Sequence, residues 1–294
     1  MENIHYPSLY QAANSASIKY QKTFTILMGI NLAMMITGAL LSILKLQFSN
    51  TSIVIYVIST IMIVAGLIIT LVLKYKKFED VWYQGRALAE SVKTLTWRFI
   101  SCSEGFEVNK SMDESKKHFL EKIEELQTQF KAYTQHYDSK TLLLSNVSEA
   151  MVMLRSKSLD ERKKYYSKKR IEDQKNWYST KAEYNRKKQN FWFIIILISQ
   201  FLAFCASLFL ILNPCSTWNL VGLFTTIASV GVAWNQLKQH QDHKQAYITA
   251  AFELQLINEK AGSIKLEDEF SKYVLDSENA ISREHTLWLV QKRK

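Results

Sequence analysis

Turn-forming residues are the first shortage: 294 residues carry only 8 glycines and 2 prolines. Tight turns draw on these two, or on Asn, Asp and Ser. A many-stranded sheet is therefore excluded, and long helices are expected. Cysteine is scarce as well. Cys102, Cys205 and Cys215 have no zinc spacing and form no even disulfide framework. Enzyme motifs are missing too: there is no Gly-rich phosphate loop, nucleophile elbow, HExxH or paired CxxC. His240-Gln-Asp242-His243 is half a metal site at most, and it lies where polar residues are expected anyway. The chain is thus expected to be no enzyme and to hold no metal and no cofactor.

Charge is absent from four long stretches. Phe24–Leu44 and Ile53–Leu73 run 21 residues each without one, Phe191–Leu212 runs 22, and Trp218–Trp234 runs 17. At 1.5 Å per residue, 21 residues reach about 31 Å, the thickness of a bilayer's hydrocarbon core. The alternative, four buried core helices of a soluble protein, would have to hide all four runs in one small globule. The reading is an all-α membrane protein with four transmembrane helices in two hairpins, each followed by cytoplasmic helices. The hairpin turns are Lys45–Ser52 and Asn213-Pro214-Cys215-Ser216-Thr217. The layout is duplicated, with one unit over 1–154 and a second over 155–294. No cleavable signal is expected, because the first apolar run is too long and a second span follows at once.

Positive charge orients the spans. Lys19 and Lys22 precede the first, and Lys74, Lys76 and Lys77 follow the second. Arg186, Lys187 and Lys188 precede the third, and Lys238 follows the fourth. The two turns hold a single basic residue, Lys45. Lys and Arg accumulate on the cytoplasmic side, so both termini and the long central region are expected there. Trp192 and Trp234 then fall at the inner interface and Trp218 at the outer.

Three cytoplasmic stretches are informative. Over residues 81–99, Trp82, Arg86, Glu90, Lys93 and Trp97 share one arc of a helix, while Val81, Leu88, Val92, Leu95 and Phe99 share the opposite one. A helix patterned on both faces is packed on both, so the Trp-bracketed ion ladder is a candidate subunit interface or gate. The plainer alternative is an internal ladder against the second half. Ser111–Glu114 is a capping box, and Phe119, Ile123, Leu126, Phe130, Tyr133 and Tyr137 then follow at 4-3-4-3-4 spacing, a heptad helix. Past the fourth span, Tyr247, Ala250, Ala251, Leu254, Ile257 and Ala261 form one stripe, with Gly262 as a C-cap.

The net charge of +10 is not spread evenly. Residues 155–188 hold 13 basic and 5 acidic side chains, against 12 and 12 over residues 74–154. From the capping box Ser158–Glu161, the helical pattern runs unbroken to Leu212. Only Arg186, Lys187 and Lys188 lie within a Debye length, about 8 Å, of the headgroups. Arg162, Lys163, Lys164, Lys168, Lys169 and Arg170 need another partner. Either the acidic 113–125 helix and solvent supply it, or these residues are candidates for an anionic ligand such as a nucleotide, or for an acidic protein. Nucleic acid is not expected, since no fold signature for it is present.

Inside the spans, Asn31 and Gln200 are costly against lipid. Small residues recur at i, i+4 and i+8: Gly29, Ala33, Thr37; Ser199, Ala203, Ser207; and Thr225, Ser229, Ala233. Asn31, Ala33, Gln200 and Ser207 are therefore expected to face a helix bundle or a pore, along the first or third span. The alternative is internal hydrogen bonding in a closed four-helix bundle.

Two stretches resemble the SLATT family, the two-span effectors of bacterial conflict systems. One is Trp82-Tyr83-Gln-Gly-Arg86-Ala-Leu-Ala-Glu90-Ser-Val-Lys93-Thr-Leu-Thr-Trp97-Arg98. The other runs through Met151, Arg155, Leu159, Arg162, Tyr166, Arg170, Gln174, Trp177-Tyr178, Lys181-Ala182 and Asn185. Ser282-Arg283-Glu284-His285 with Trp288 also fits. With the spans, the likeness covers nearly the whole chain and is apparently tandem. It implies a bacterial inner-membrane effector of antiviral, abortive-infection type that forms pores when a partner or nucleotide signal triggers it. Its partners would be the lipid bilayer, further copies of itself, and a sensor protein or nucleotide. Four helices enclose little water, so a pore requires an oligomer. The alternative is a non-conducting scaffold or receptor signalling to a cytosolic partner.

Overall fold

A computed structural model describes residues 5–47 and 52–292, and among them every regular element is helical. The α-helices are α1 (Ser8–Gln47), α2 (Ser52–Lys76), α3 (Phe78–Ile100), α4 (Met112–Gln129), α5 (Glu149–Arg155), α6 (Leu159–Tyr166), α7 (Asp173–Leu212), α8 (Val221–Lys238), α9 (His240–Lys260) and α10 (Glu267–Lys292). A π-turn, Ser167–Glu172, joins α6 to α7, so helical geometry runs from 159 to 212 as the pattern predicts. The turn read at Lys45–Ser52 lies largely outside the described residues.

Three stretches are long and apolar enough to cross a membrane: Ser8–Leu44, Ile53–Ile100 and Leu159–Leu212. In their most apolar 18-residue windows only 11%, 0% and 6% of residues are buried. These three runs are not hidden in the chain's own core, contrary to the buried-core alternative. The fourth run differs from expectation. Helix begins only at Val221, so Trp218, Asn219 and Leu220 lie outside it.

The chain divides into two compact units, and each draws on both halves of the sequence. The first comprises Met1–Gln21, Phe78–Lys181 and Ala246–Lys294. The second comprises Lys22–Lys77 and Ala182–Gln245.

In the first unit α3 is central and packs on α4, α5 and α10. Its apolar stripe, Leu88, Val92 and Phe99, is fully buried with Phe119, Met151, Ile171 and Phe270. The early part of α1 crosses α3 at Gly85, where a Cβ would stand 3.0 Å from the Ala13 carbonyl and 3.3 Å from Ser17 Cβ. Both capping boxes form: Glu114 accepts from the Ser111 N–H at 2.9 Å, and Glu161 accepts from the Ser158 N–H at 3.2 Å.

Two local expectations are corrected. The heptad continues past Gln129, but the helix does not: Phe130 caps α4, and Lys131–His136 form a 3-10 turn. Phe130 is still buried, and Tyr133 and Tyr137 still pack on the core, so the apolar spacing reports the contact and not the helix. Gly262 sits in a 3-10 turn, Ala261–Ser263, rather than as a left-handed cap. Left-handed residues do end helices elsewhere: Gln239, φ 46°, caps α8, and Lys77, φ 47°, follows α2.

In the second unit α7 and α8 meet through small residues. Ser199, Ala203, Ala228 and Gly231 are buried, and a Cβ on Gly231 would lie 2.9 Å from Ile196 Cγ1. Helices in lipid have no hydrophobic drive toward each other and associate through such close approaches. On the other pair, Asn31 Nδ2 of α1 donates to Thr70 Oγ1 of α2 at 3.4 Å. Lys238 Nζ donates to Thr25 Oγ1 at 3.1 Å, tying α8 to α1.

Candidate functional site

The ion ladder of α3 lies within the first unit. Arg86 Nη2 is 2.8 Å from Glu90 Oε1, and Lys93 Nζ is 3.9 Å from Glu90 Oε2. Glu90 and Trp97 are buried. The indole N–H of Trp97 donates to the Tyr6 hydroxyl at 3.1 Å, and the Tyr165 and Tyr166 rings pack beside it. Burial pulls the Lys93 ammonium down to about 8, against the favourable pull of Glu90. Trp82, Arg86 and Lys93 are only partly covered, so these three are the ladder residues that still reach the surface.

Next to the ladder is the most deeply buried ion pair among the described residues. Arg170, in the π-turn, grips Glu278 of α10 with two parallel bonds: Nε to Oε1 at 2.8 Å and Nη2 to Oε2 at 2.6 Å. The Tyr166 and Thr94 hydroxyls complete the carboxylate at 2.9 and 2.8 Å. Burial would lower the Arg170 guanidinium, but Glu278 outweighs it and holds it above its ordinary value. Burial, with Glu278 second, drives the Tyr166 phenol well upward. Arg162 likewise meets Glu267, and its Nη1 donates to the Ser101 carbonyl at 2.9 Å. Lys163 Nζ donates to the Ile264 carbonyl at 2.9 Å and pairs with Asp160 at 3.2 Å.

The basic triplets are thereby divided. Arg162 and Arg170 are buried on carboxylates of α10, so no external anion reaches them, and their acidic partner is not the 113–125 helix. Lys164 and Lys168 are exposed and Lys169 is half-exposed. Those three remain as anionic-ligand or partner candidates.

The span residues also divide. Asn31 is half-buried and its amide donates to Thr70 within the second unit. Ala33, Gln200 and Ser207 are exposed. On α7 Ser199 and Ala203 are buried, and Gln200 and Ser207 lie about 100° and 80° around the helix from Ser199, so the closed-bundle alternative does not describe these two side chains. A cavity of about 830 Å³ opens between α1 and α2, lined among others by Asn31, Met34, Gly38, Ser42, Ser59 and Gly66.

Among the described residues no three His, Cys, Asp or Glu side chains gather as a metal site. His240 is buried and bonds Asn185 through Nδ1 at 2.7 Å, and burial lowers it to about 4.

A family profile described as "SMODS and SLOG-associating 2TM effector domain 3" matches residues 7–163. A second, described as "SMODS and SLOG-associating 2TM effector domain 1", matches residues 166–288. The chain belongs to the SLATT family. It carries two SLATT domains in tandem, and no curated protein and no solved structure matches it.

Many of the residues bearing the SLATT likeness are buried in packing, whereas Trp177 and Lys181 are exposed. Met151 and Arg155 on α5, and Arg162, Tyr166, Arg170, Tyr178, Ala182 and Asn185 on the run from α6 into α7, are all buried. Arg283–Trp288 continue α10, and their side chains lie outside the described residues. Sequence reasoning missed Glu267 and Glu278, because nothing local marks a carboxylate whose partner lies 105 or 108 residues away. The only available signal was indirect: apolar Phe270, Tyr273 and Val274 surround these acids at helical spacing.

Proposed function

We propose that this SLATT tandem is an oligomeric membrane effector of a bacterial antiviral or abortive-infection system. On a trigger from a partner protein or nucleotide signal, it opens a pore or breaches the bilayer. The observation that carries this reading is the pairing of two 2TM effector domains with apolar helices left uncovered by the chain itself. The four spans are α1, α2, the apolar part of α7, and α8, in the inner membrane. The charge-free part of α8, Val221–Leu237, is 17 residues long, about 25 Å as helix. Trp218–Leu220, which precede it unwound, make up the remaining depth of a core about 30 Å thick.

The test is leak from liposomes. Reconstituted full-length protein, given extract from infected cells, should release a small dye, and Ala33→Leu should reduce the release. A clean preparation that never conducts, with or without that extract, favours the non-conducting scaffold or receptor.

Orientation has its own check, using native thiols. Cys215 is exposed in the α7–α8 turn, whereas Cys102 is buried. A membrane-impermeant maleimide should label intact cells at Cys215, and Cys215→Ser should abolish the signal. Asp113→Cys in that background should label only after lysis. Labelling of Asp113→Cys in intact cells would reverse the orientation.

A further inference from the structure

Between residues 190 and 212, α7 carries four amide or hydroxyl side chains: Asn190, Ser199, Gln200 and Ser207. Ser199 is buried within its own unit. The other three are exposed, and all fall in one seven-residue pattern. Starting from Asn190, the steps are 3-4-3-4-3-4 through Phe193, Leu197, Gln200, Phe204, Ser207 and Ile211. Phe193, Leu197, Phe204 and Ile211 are 61, 54, 58 and 69% exposed.

The neighbouring exposed stripe is different. Ile194, Ile198, Phe201, Cys205 and Leu208 offer neither amide nor hydroxyl, and lipid suits such a surface fully. Lipid does not suit Gln200. Threonines in this unit satisfy themselves one turn back: Thr37 donates to the Ala33 carbonyl at 2.9 Å, and Thr225 to the Val221 carbonyl at 2.9 Å. The longer glutamine amide has two donors and an acceptor at mid-span, and an unmet amide in hydrocarbon costs several kcal/mol.

We propose that this stripe of α7 is a helix–helix seam between two copies of the chain, with Gln200 bonding Gln200 of the second copy. Alternating 3- and 4-residue steps are the geometry of two like helices packed knobs-into-holes. An amide is donor and acceptor at once, so the identical residue opposite completes both halves of the bond. The polar residues of such a seam also favour one register, since a slip of one heptad breaks the paired amide bond and faces one Gln200 with Phe193 and the other with Ser207. Seen this way, Gln200 and Ser207 point neither to lipid nor to a water path but to protein.

The seam rests on the reading of α7 as a span of an oligomeric effector, and the test separates the two. In full-length protein in bilayers, with Cys215→Ser throughout, native Cys205 reports the lipid stripe. Phe204→Cys with Cys205→Ala reports the seam. Oxidation should cross-link the Phe204→Cys protein to a dimer and leave the Cys205 protein largely monomeric. Gln200→Leu should weaken association about threefold to thirtyfold, the range expected for one interhelical side-chain hydrogen bond, and Gln200→Asn should weaken it less. Cross-linking through Cys205 as efficient as through Phe204→Cys overturns the seam. So does unchanged association of Gln200→Leu. In both cases an oligomer persists and the effector reading stands. A wild-type chain that stays monomeric in bilayers overturns both.

Discussion

Glu278→Ala is expected to destabilise the first unit by about 3–5 kcal/mol, because it leaves a buried guanidinium without its countercharge. Arg170 and Glu278 are 2% and 1% exposed, so water does not replace the lost partner. Tyr166 and Thr94 lose their acceptor in the same step. Thermal unfolding followed by near-ultraviolet circular dichroism would report this, since Trp97 lies under the Arg170 guanidinium. The double change Arg170→Met with Glu278→Leu should recover most of the loss, as apolar replacements of buried ion pairs often do. An unaltered midpoint for Glu278→Ala would mean that the pair is not formed.

Arg155→Leu is expected to cost about 3 kcal/mol or more, by a different route: it orphans acceptors rather than a charge. The guanidinium of Arg155 donates to the carbonyls of Phe99, Phe106 and Glu107 and to Ser115 Oγ, at 2.9, 2.7, 3.3 and 2.8 Å. It thereby holds the end of α3, the α3–α4 turn and the start of α4 from one point on α5. Arg155→Lys should recover less than half of the loss, because an ammonium cannot span the fork of a planar guanidinium. Denaturant midpoints of the two variants check this. A lysine variant equal to wild type would show that charge, and not the fork, is what the site uses.

Much of this architecture is legible in the sequence because it follows local period and charge. Charge-free runs give the spans Phe24–Leu44, Ile53–Leu73 and Phe191–Leu212. Period 3.6 gives α3 with both faces occupied, and Ser111 and Ser158 mark the helix starts. What escaped was set by distant partners. The positive excess of residues 155–188 resembles a free binding surface, yet Arg162 and Arg170 find Glu267 and Glu278 across more than a hundred residues. Gln200 is marked by its polarity as facing something other than lipid. Which way it faces depends on Ser199 and Ala203 having taken the α8 side, and periodicity does not reveal that choice. Likewise Phe130 and Tyr133 keep heptad spacing after the helix has ended, because their burial and not the backbone sets the pattern.

The first unit's discontinuity also governs how the chain is made. Arg170 leaves the ribosome 108 residues ahead of Glu278, which at synthesis rates of about 5–20 residues per second is roughly 5–20 s. During that interval α7 and α8 are made, while Phe99, Trp97 and Tyr166 still lack Phe270, Tyr273 and Val274, which close over them. The long apolar helices are therefore translated before the first unit can shut. A chain stalled ahead of residue 264 carries all three long apolar stretches but leaves the first unit open and sticky, the kind of surface that chaperones and proteases recognise.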